Sequence, residues 1–300
     1  MQHRAPAYPS IKSADAPLIP WGALSGLAPD LWQANTLYAV HDSFYKQSRI
    51  YTVDTSNHPA LITGTTVLSK AGETVDYDLE GIAQAQDGSF WLVSEGKPGD
   101  SLNLLVHVAT DGTVLAEHAL PAAVQAKVKK HGFEGVAVTE SGSDTKVYVA
   151  FQREWDGDPD GHVRIGVFSP LDASWSFFYY PIENTTEGWV GLSEISLLDS
   201  GEMAVIERDN QQGPKATIKR IYTFDPASVS PRAEGETFDT VSKTLANDLL
   251  DELNASRGWT PDKVEGLAAV GDNVYVVTDN DGLDDAVGET YFFKTPLWDQ

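Results

Sequence analysis

Short apolar strands recur along the chain, and most of them follow a phrase in which a glutamate precedes a glycine. The phrase reads DLEGIAQA from Asp78, GFEGVAVT from Gly132 and KVEGLAAV from Lys263, with altered copies GLSEISLL from Gly191 and LSGLAPDL from Leu24. The units are about 55, 54, 59 and 72 residues apart and begin near Ser25, Glu80, Glu134, Ser193 and Glu265. A unit of this length predicts a repeat architecture.

Each unit continues as alternating strands and turns. A turn rich in Gly, Asp and Ser follows the phrase, and a β-branched or aromatic strand comes next, as at residues 90–93 and 274–277. Strand pairs joined by such turns are hairpins. Third strands follow, and fourth strands are predicted at residues 114–118 and 175–180. Units of about 50 residues with four antiparallel strands are typical of propeller blades.

We therefore predict an all-β protein, a β-propeller of five or six four-stranded antiparallel blades, in which residues 1–300 form one domain. A β-sandwich is the alternative, but it does not explain the repeated phrase. Residues 1–21 are expected to be an N-terminal extension that contributes to ring closure. Apolar residues at helical spacing predict short helical insertions over residues 121–131 and 241–257.

The charge balance narrows the range of partners. The chain has 21 Lys and Arg against 44 Asp and Glu, a net charge of −23. Such a surface repels nucleic acid and anionic lipid, and it indicates either metal binding or a purely solubilising role. The absence of cysteine excludes disulfides and thiolate chemistry. No segment reaches the about 18 apolar residues of a membrane span, and the first twenty residues lack the apolar core of a signal peptide.

Glutamates of the repeated phrase form the first candidate site. If each begins the innermost strand of its blade, their carboxylates converge at one mouth of the central channel; they are Glu80, Glu134, Glu194 and Glu265. Carboxylates that close repel, and a hard divalent cation with oxygen ligands, Ca²⁺ in particular, relieves the repulsion. The alternatives are hydrogen bonding to backbone amides of the neighbouring blade, or direct acid–base catalysis. Ser25 replaces glutamate in the first unit, which leaves the ring open on one side.

Polar residues at the ends of the following strands form a second set. Arg208 and Arg153 are candidates to bind an anion, because a guanidinium matches phosphate or carboxylate oxygens; pairing with adjacent acidic residues is the alternative. His41 is a candidate general base, or a histidine that forms a surface hydrogen bond beside Asp42. Asp279 and Asp281 are expected to help the glutamates hold the metal.

An acidic turn, DGDPDG, is a further candidate metal site. Asp156, Asp158 and Asp160 alternate and are followed by glycine, as at the start of a calcium loop. The twelfth position is Val167 instead of the expected glutamate, so a plain acidic turn fits equally well. The sequence has no G-x-S-x-G elbow, phosphate-binding glycine loop, H-E-x-x-H or dinucleotide motif, which argues against serine-triad and nucleotide-dependent chemistry.

Taken in order, the phrases resemble the phytase-like β-propeller family, described as "esterase-like activity of phytase". The resemblance rests on DLEGIA, GFEGVA, the run SEI…IERDN from Ser193 to Asn210 and KVEGLA…VTDND from Lys263, and it covers residues 22–295. It implies an extracytoplasmic protein and calcium-dependent hydrolysis of esters or phosphoesters. Alkaline propeller phytases also use Lys, Arg and Tyr to hold phosphate, and basic residues are sparse here. The phrase is similar, too, to that of calcium-dependent lactonase and phosphotriesterase propellers.

The resulting hypothesis is a Ca²⁺-dependent hydrolase of phosphate or other anionic esters. We expect a periplasmic or secreted monomer that acts on a small anionic substrate, without nucleic-acid partners or membrane insertion. Two alternatives stay open: a non-catalytic binding or adhesion propeller that calcium stabilises, and a lactonase-type metal-dependent hydrolase.

Overall fold

The structure is a computed structural model that describes residues 10–142, 144–255, 258–280 and 290–299. Five antiparallel sheets surround a central axis, and each sheet is one blade of a propeller. The predicted all-β propeller is thereby confirmed with five blades rather than six, and most of its sheets have four strands. The blades begin at the repeated phrases, because each phrase forms the innermost strand.

The first two blades are separated by a small hairpin. Blade 1 contains β1 (Ile11–Ser13), β2 (Leu24–Pro29), β3 (Thr36–His41), β4 (Arg49–Asp54) and β5 (Ala60–Val67). The hairpin pairs β6 (Ser69–Lys70) with β7 (Glu73–Thr74). Blade 2 contains β8 (Leu79–Gln84), β9 (Phe90–Ser94), β10 (Leu104–Val108) and β11 (Val114–Ala119).

The remaining blades follow in chain order. Blade 3 contains β12 (Phe133–Ser141), β13 (Asp144–Phe151), β14 (His162–Ser169) and β15 (Ser174–Pro181). Blade 4 contains β16 (Val190–Leu197), β17 (Met203–Asp209), β18 (Lys219–Phe224) and β19 (Thr244–Asp248). In the described part of blade 5 the strands are β20 (Val264–Val270), β21 (Asn273–Thr278) and β22 (Phe292–Pro296). Short 3₁₀ turns lie at Gly213–Lys215 and Pro226–Ser228.

The ring closes through its innermost strands. Each of β2, β8, β12, β16 and β20 packs on the next, and β20 returns to β2. The N-terminal strand β1 does not enter blade 5 but pairs in parallel with β5 at the outer edge of blade 1. The Phe292 amide of blade 5 donates a hydrogen bond to Ser10 Oγ at 2.7 Å. The residues before blade 1 therefore touch both sides of the closure.

The core lies between blades rather than within a single sheet. Five apolar clusters each join two neighbouring blades; for example, Trp91 and Leu105 of blade 2 pack with Phe151 and Phe177 of blade 3. The equivalent cluster between blades 5 and 1 includes Leu27. Side chains alternate across each strand, so one sheet supplies apolar faces to both of its neighbours. This shared burial fixes the inner strands and with them the groups that face the channel.

The predicted helical insertions are shorter than expected. In the 121–131 segment the helix α1 covers only Ala122–Gln125. The 241–257 segment forms β19, the fourth strand of blade 4, before the helix α2 (Leu250–Ala255) begins. Helical spacing was a wrong guide over residues 244–248, because pairing with β18 there satisfies the backbone of an otherwise open sheet edge.

Candidate functional site

A β-bulge in every innermost strand positions the residues of the repeated phrase. In each blade one residue of the inner strand has no partner on the second strand; these residues are Ser25, Glu80, Glu134, Ser193 and Glu265. A bulge re-aims a side chain relative to a regular strand. Three glutamates are thereby placed at equivalent positions at the mouth of the channel where the inner strands begin.

The position of the bulge in blade 4 places Glu194 one residue beyond the other three glutamates of the repeated phrase. Ser193, not Glu194, is the bulged residue of blade 4, because pairing skips from Leu192 to Glu194. Glu194 therefore occupies the position that is glycine in the other four blades. The repeated phrase brings together three glutamates and two serines at this mouth, and the expected fourth carboxylate lies one layer deeper.

The inner strands approach one another closely at the layer of glycines. A Cβ on Gly81 would lie 2.8 Å from the carbonyl oxygen of Glu134, and one on Gly26 would lie 2.8 Å from the Cα of Gly81. Strands this close have no space for side chains, which explains why glycine follows the bulged residue. The space is instead filled by one side chain, that of Glu194, whose Oε1 would lie 2.5 Å from a Cβ on Gly135.

The carboxylate of Glu194 binds backbone amides from different blades. It accepts hydrogen bonds from the amides of Leu27 in blade 1, at 3.3 Å, and of Ile195 in its own strand, at 3.0 Å. Burial raises the pKa of Glu194 well above its usual value, although amides that include Val136 and Leu267 oppose the rise. Glu194 is fully buried. This arrangement matches backbone bonding better than a ligand role, and it separates the two ends of the channel.

An acidic cluster lies at the mouth on the bulge side; we call it the acidic mouth and define it by Asp78, Glu80, Glu95, Glu134 and Glu265. One carboxylate oxygen from each of Asp78, Glu80 and Glu95 lies within 4.8 Å of the others. Asp78 and Glu80 are two residues apart at the start of β8, and Glu95 follows β9, the strand paired with β8. Among the described residues this is the only group of three acidic or histidine side chains with such spacing.

Burial and mutual repulsion raise the pKa values of three glutamates in the acidic mouth. Burial, followed by the charge of Glu134, raises the pKa of Glu80 well above its usual value. Burial and then the charge of Glu265 do the same for Glu134. Burial raises the pKa of Glu95 to about 7, with Asp78 and Glu265 adding to the rise and a hydrogen bond from the Gly132 amide (2.7 Å) opposing it. The site therefore favours protons or cations.

Carboxylate oxygens of the acidic mouth that lack a hydrogen-bond donor also favour a cation. Oε2 of Glu265 is buried and has no hydrogen-bond partner in the described part of the chain. No described residue donates a hydrogen bond to the carboxylates of Glu80 or Glu134, and Glu134 is only 4% exposed. Buried carboxylates are ordinarily paired or bound to metal. An all-oxygen donor set is typical of a Ca²⁺ site.

Arg208 is brought to the acidic mouth, where it is bound by carboxylates. Its guanidinium donates to Glu265 Oε1 at 2.6 Å and to Ser193 Oγ at 2.9 Å, and it pairs with Asp262 at 3.3 Å. Burial lowers its pKa, but the charges of Glu265 and Asp262 outweigh burial and raise it. Arg208 is 3% exposed, so its role here is to neutralise one side of the acidic mouth.

Arg153 and Arg208 both pack on the ring of Trp189. Both guanidiniums face the ring of Trp189, at 5.0 Å for Arg153 and 5.4 Å for Arg208. Arg153 also pairs with Glu154 at 3.2 Å, but its side chain is 25% exposed. His131 packs on the other side of this group, 4.8 Å from Trp189, and burial with nearby positive charges lowers its pKa to about 4. Arg153 is the more accessible of the two arginines.

The structure does not bring His41 into this group. Its ring is fully buried and contacts two carbonyl oxygens, that of Asp42 through Nδ1 at 2.5 Å and that of Gln47 through Nε2 at 3.2 Å. Burial lowers its pKa. His41 therefore holds the loop after β3, and we do not carry it forward as a general base.

The DGDPDG turn is a structural turn in blade 3. Asp158 binds the buried Arg164, with Oδ1 2.7 Å from its Nη2, and also accepts from the Trp155 amide at 2.9 Å. Asp156 and Asp160 are exposed. One of the three carboxylates is thus paired with an arginine, an arrangement that fits the acidic turn better than a calcium loop.

The last two predicted ligands come from the end of β21. Asp279 is buried and lies 3.7 Å from the ammonium of Lys263, which pairs with it across the beginning of blade 5. Its neighbour Asn280 accepts a hydrogen bond from the Ala23 amide at 2.7 Å and so links blades 5 and 1. Asp281 lies outside the described residues.

Asp78 was not predicted as a ligand, and Glu95 was not given a metal role from the sequence. The sequence carried only a partial signal: Asp78 is the acidic residue two positions before Glu80, and it immediately precedes β8. Glu95 joins them only through the pairing of Ser94 with Leu79. Trp189 carried no recognisable signal, since its role depends on two arginines that are distant in sequence.

Comparison with known proteins identifies the family. A model of the phytase-like family, described as "esterase-like activity of phytase", matches residues 19–282, and the chain belongs to this family. No curated protein sequence matches the chain. None of the described helices is long and apolar enough to cross a membrane.

Solved structures with a similar overall shape are distant in sequence. A luciferin-regenerating enzyme is 15% identical, with 93% of this chain and 79% of that chain covered and a TM-score of 0.44. A glycosyl hydrolase from Bacteroides ovatus is 9% identical, with 92% and 84% covered and a TM-score of 0.48. A gluconolactonase from Xanthomonas campestris is 12% identical, with 85% and 69% covered and a TM-score of 0.43.

Proposed function

We propose that this protein is a Ca²⁺-dependent hydrolase of small phosphate or other anionic esters, and that the acidic mouth is its active site. The supporting observation is the convergence of Asp78, Glu80 and Glu95 beside the unpartnered Oε2 of Glu265. A calcium ligand lies about 2.4 Å from its ion, so two ligands of one ion are at most about 4.8 Å apart. The spacing of the three carboxylates meets that limit.

The chain's own residues divide the remaining work. A bound calcium ion would polarise the ester and make water more acidic. Glu95 would hold the calcium ion together with Asp78 and Glu80, and the Gly132 amide, which donates to its Oε1 at 2.7 Å, fixes its orientation. Arg153 would bind the anionic group of the substrate, with Trp189 supporting its guanidinium. As part of the proposal, the enzyme is a monomer outside the cytoplasm.

A matched pair of variants tests the proposal. Glu80→Gln removes one charge at the acidic mouth, and Glu140→Gln removes one charge at the opposite end of the channel. Calcium binding is measured by calorimetry, and turnover of a phosphate monoester, a phosphate diester, a carboxyl ester and a lactone is measured with and without chelator. We expect Glu80→Gln to weaken calcium binding at least tenfold and to reduce turnover about a hundredfold, while Glu140→Gln changes neither. Turnover that survives both chelation and Glu80→Gln would sink the proposal.

A second candidate function is a calcium-stabilised binding propeller without catalysis. It is favoured by the pairing of both arginines near the mouth with carboxylates, which leaves little free positive charge for a transition state. Under this alternative calcium raises the melting temperature and an anionic ligand binds saturably, but no ester is turned over. Turnover confined to the lactone, with one calcium per chain, would instead support the lactonase-type alternative.

A further inference from the structure

The end of the channel opposite the acidic mouth contains a separate cavity of about 430 Å³. It lies where the inner strands run into their hairpin turns, and its lining begins one residue beyond the glycine layer that Glu194 fills. We call it the apolar mouth. Its wall includes Leu27, Ile82, Val136 and Ile195, one residue from each of four blades. A volume of this size is in the range of sites for small organic ligands.

Polar side chains at the apolar mouth are already used to join blades. Gln84 of blade 2 accepts from the Leu31 amide of blade 1 at 2.9 Å, and Glu140 of blade 3 accepts from the Gln86 amide of blade 2 at 2.7 Å. Ser196 Oγ accepts from the Ala269 amide at 3.2 Å. These hydrogen bonds satisfy backbone donors at the open edges of the inner strands. The interior therefore offers a ligand mainly apolar contact.

The charge at the apolar mouth is negative. Glu140 and Asp199 line the cavity, Asp199 is exposed, and no lysine, arginine or histidine is among the lining residues. Glu140 uses Oε2 for the Gln86 amide, and no described residue donates to its Oε1. A positive group at the rim is attracted by both carboxylates and by the net charge of −23, whereas an anion is repelled.

We propose that the apolar mouth is a second binding site, for a small hydrophobic amine or similar amphipathic cation. The apolar part of the ligand fills the cavity above Glu194, and its positive end faces Glu140 and Asp199. The site is independent of the acidic mouth, because the buried side chain of Glu194 and the glycine layer separate the two ends.

Three probes with the same chain length test the charge preference: n-hexylammonium, 1-hexanol and hexanoate. Binding is measured by calorimetry at constant salt. We expect the ammonium to bind saturably at one site per chain, about tenfold more tightly than the alcohol, and hexanoate to bind more weakly than both. The proposal is overturned if the ammonium shows no saturable binding, or if hexanoate binds as tightly.

Variants locate the site. Glu140→Gln is expected to weaken hexylammonium binding about fivefold without changing hexanol binding. Asp172→Asn, an exposed residue on the turn between β14 and β15, removes the same charge elsewhere and should have no effect. Ala269→Phe, at a half-buried lining position, should abolish binding of all probes. Circular dichroism checks that each variant is folded, and Asp199→Asn replaces Glu140→Gln if the latter is not. Equal weakening by Asp172→Asn would show non-specific attraction and overturn the proposal.

Discussion

The two ends of the central channel are formed by the same five strands, but they differ in how their polar side chains are hydrogen-bonded. At the acidic mouth, the carboxylates of Glu80 and Glu134 have no protein donor in the described chain, and one oxygen of Glu265 is buried without a partner. At the apolar mouth, Gln84, Glu140 and Ser196 each accept a backbone amide. Unmet acceptors are available to a cation or to water, whereas the satisfied ones leave a cavity whose remaining surface is mainly apolar.

This difference arises from where each residue falls in the repeated strand. All five inner strands run in the same direction, so the residue before the glycine faces one end in every blade and residues after it approach the other. Repetition therefore concentrates carboxylates at one end and small apolar residues at the other. Glu194 is the exception, and it lies between the two ends because blade 4 alone has a side chain in the glycine layer.

Removal of this barrier is expected to have the largest effect on stability. Glu194→Gly gives blade 4 the residue of the other blades but leaves the Leu27 and Ile195 amides without an acceptor. Because an unsatisfied buried donor costs about 1–3 kcal/mol, we expect the free energy of unfolding to fall by about 3 kcal/mol, measured by chemical denaturation. Acetate should restore part of the loss in the variant and should leave the wild-type protein unchanged. An unchanged free energy of unfolding would contradict the barrier role.

The pH dependence of the free energy of unfolding is expected to differ between changes at the acidic mouth and changes at the apolar mouth. Glu95 has a folded pKa of about 7, above its usual value, so its stabilising contribution is complete below about pH 4.5 and is lost as pH rises through 7. In chelator, we expect the ionisation of Glu95 to lower the free energy of unfolding by about 3 kcal/mol over this window, at about 1.36 kcal/mol per pH unit. Denaturant titrations across the pH range measure it.

Calcium and a variant provide the controls for this pH effect. Calcium should oppose the loss above pH 7, because it binds the ionised carboxylates. Glu95→Gln should remove the share of the pH dependence that Glu95 contributes and so reduce its slope, while Glu140→Gln at the apolar mouth should retain the full dependence. A pH profile of Glu95→Gln identical to that of the wild-type protein would place the titrating group elsewhere.

The smallest expected effect concerns substrate orientation. Arg153→Lys keeps the charge but loses the planar group that faces Trp189, so we expect KM for an anionic ester to rise about tenfold, or about 1.4 kcal/mol, with kcat nearly unchanged. Steady-state kinetics measure both constants. Lys146→Arg, an exposed residue near the start of β13 in blade 3, is the control and should change neither. A fall in kcat with constant KM would show that Arg153 acts in the chemical step instead.

The blade plan followed from the sequence because strand pattern and turn residues are local signals. The phrases at Glu80, Glu134 and Glu265 identified inner strands, and the fourth strands of blades 2 and 3 were recognised from their apolar residues. The fourth strand of blade 4 was not, since residues 244–248 have no strand pattern of their own and are ordered by pairing with β18. The sequence left five or six blades open, and the packing of β20 on β2 closes the ring with five.

For the candidate site, too, the sequence indicated the residue types, whereas their partners depended on the tertiary structure. The site's residue types and the alignment of Ser193 with the glutamates were visible in the repeats, but only the bulge register showed that Glu194 lies in the glycine layer instead of beside those glutamates. Arg153 and Arg208 were recognised as cations, yet the carboxylates that bind them depend on neighbouring blades. Asp158 seemed a ligand beside other acidic residues and instead binds Arg164, which lies on the adjacent strand.

By itself, the sequence determined a repeated β architecture, a strongly acidic protein and a set of glutamates at equivalent places, because periodicity and composition are properties of the chain alone. Tertiary structure decided which of those glutamates meet, which one fills the channel and which cations are already paired. The physical reason is that burial, repulsion and hydrogen bonding act between blades, across distances of fifty residues or more along the chain. Only the closed ring brings those groups within a few ångströms of one another.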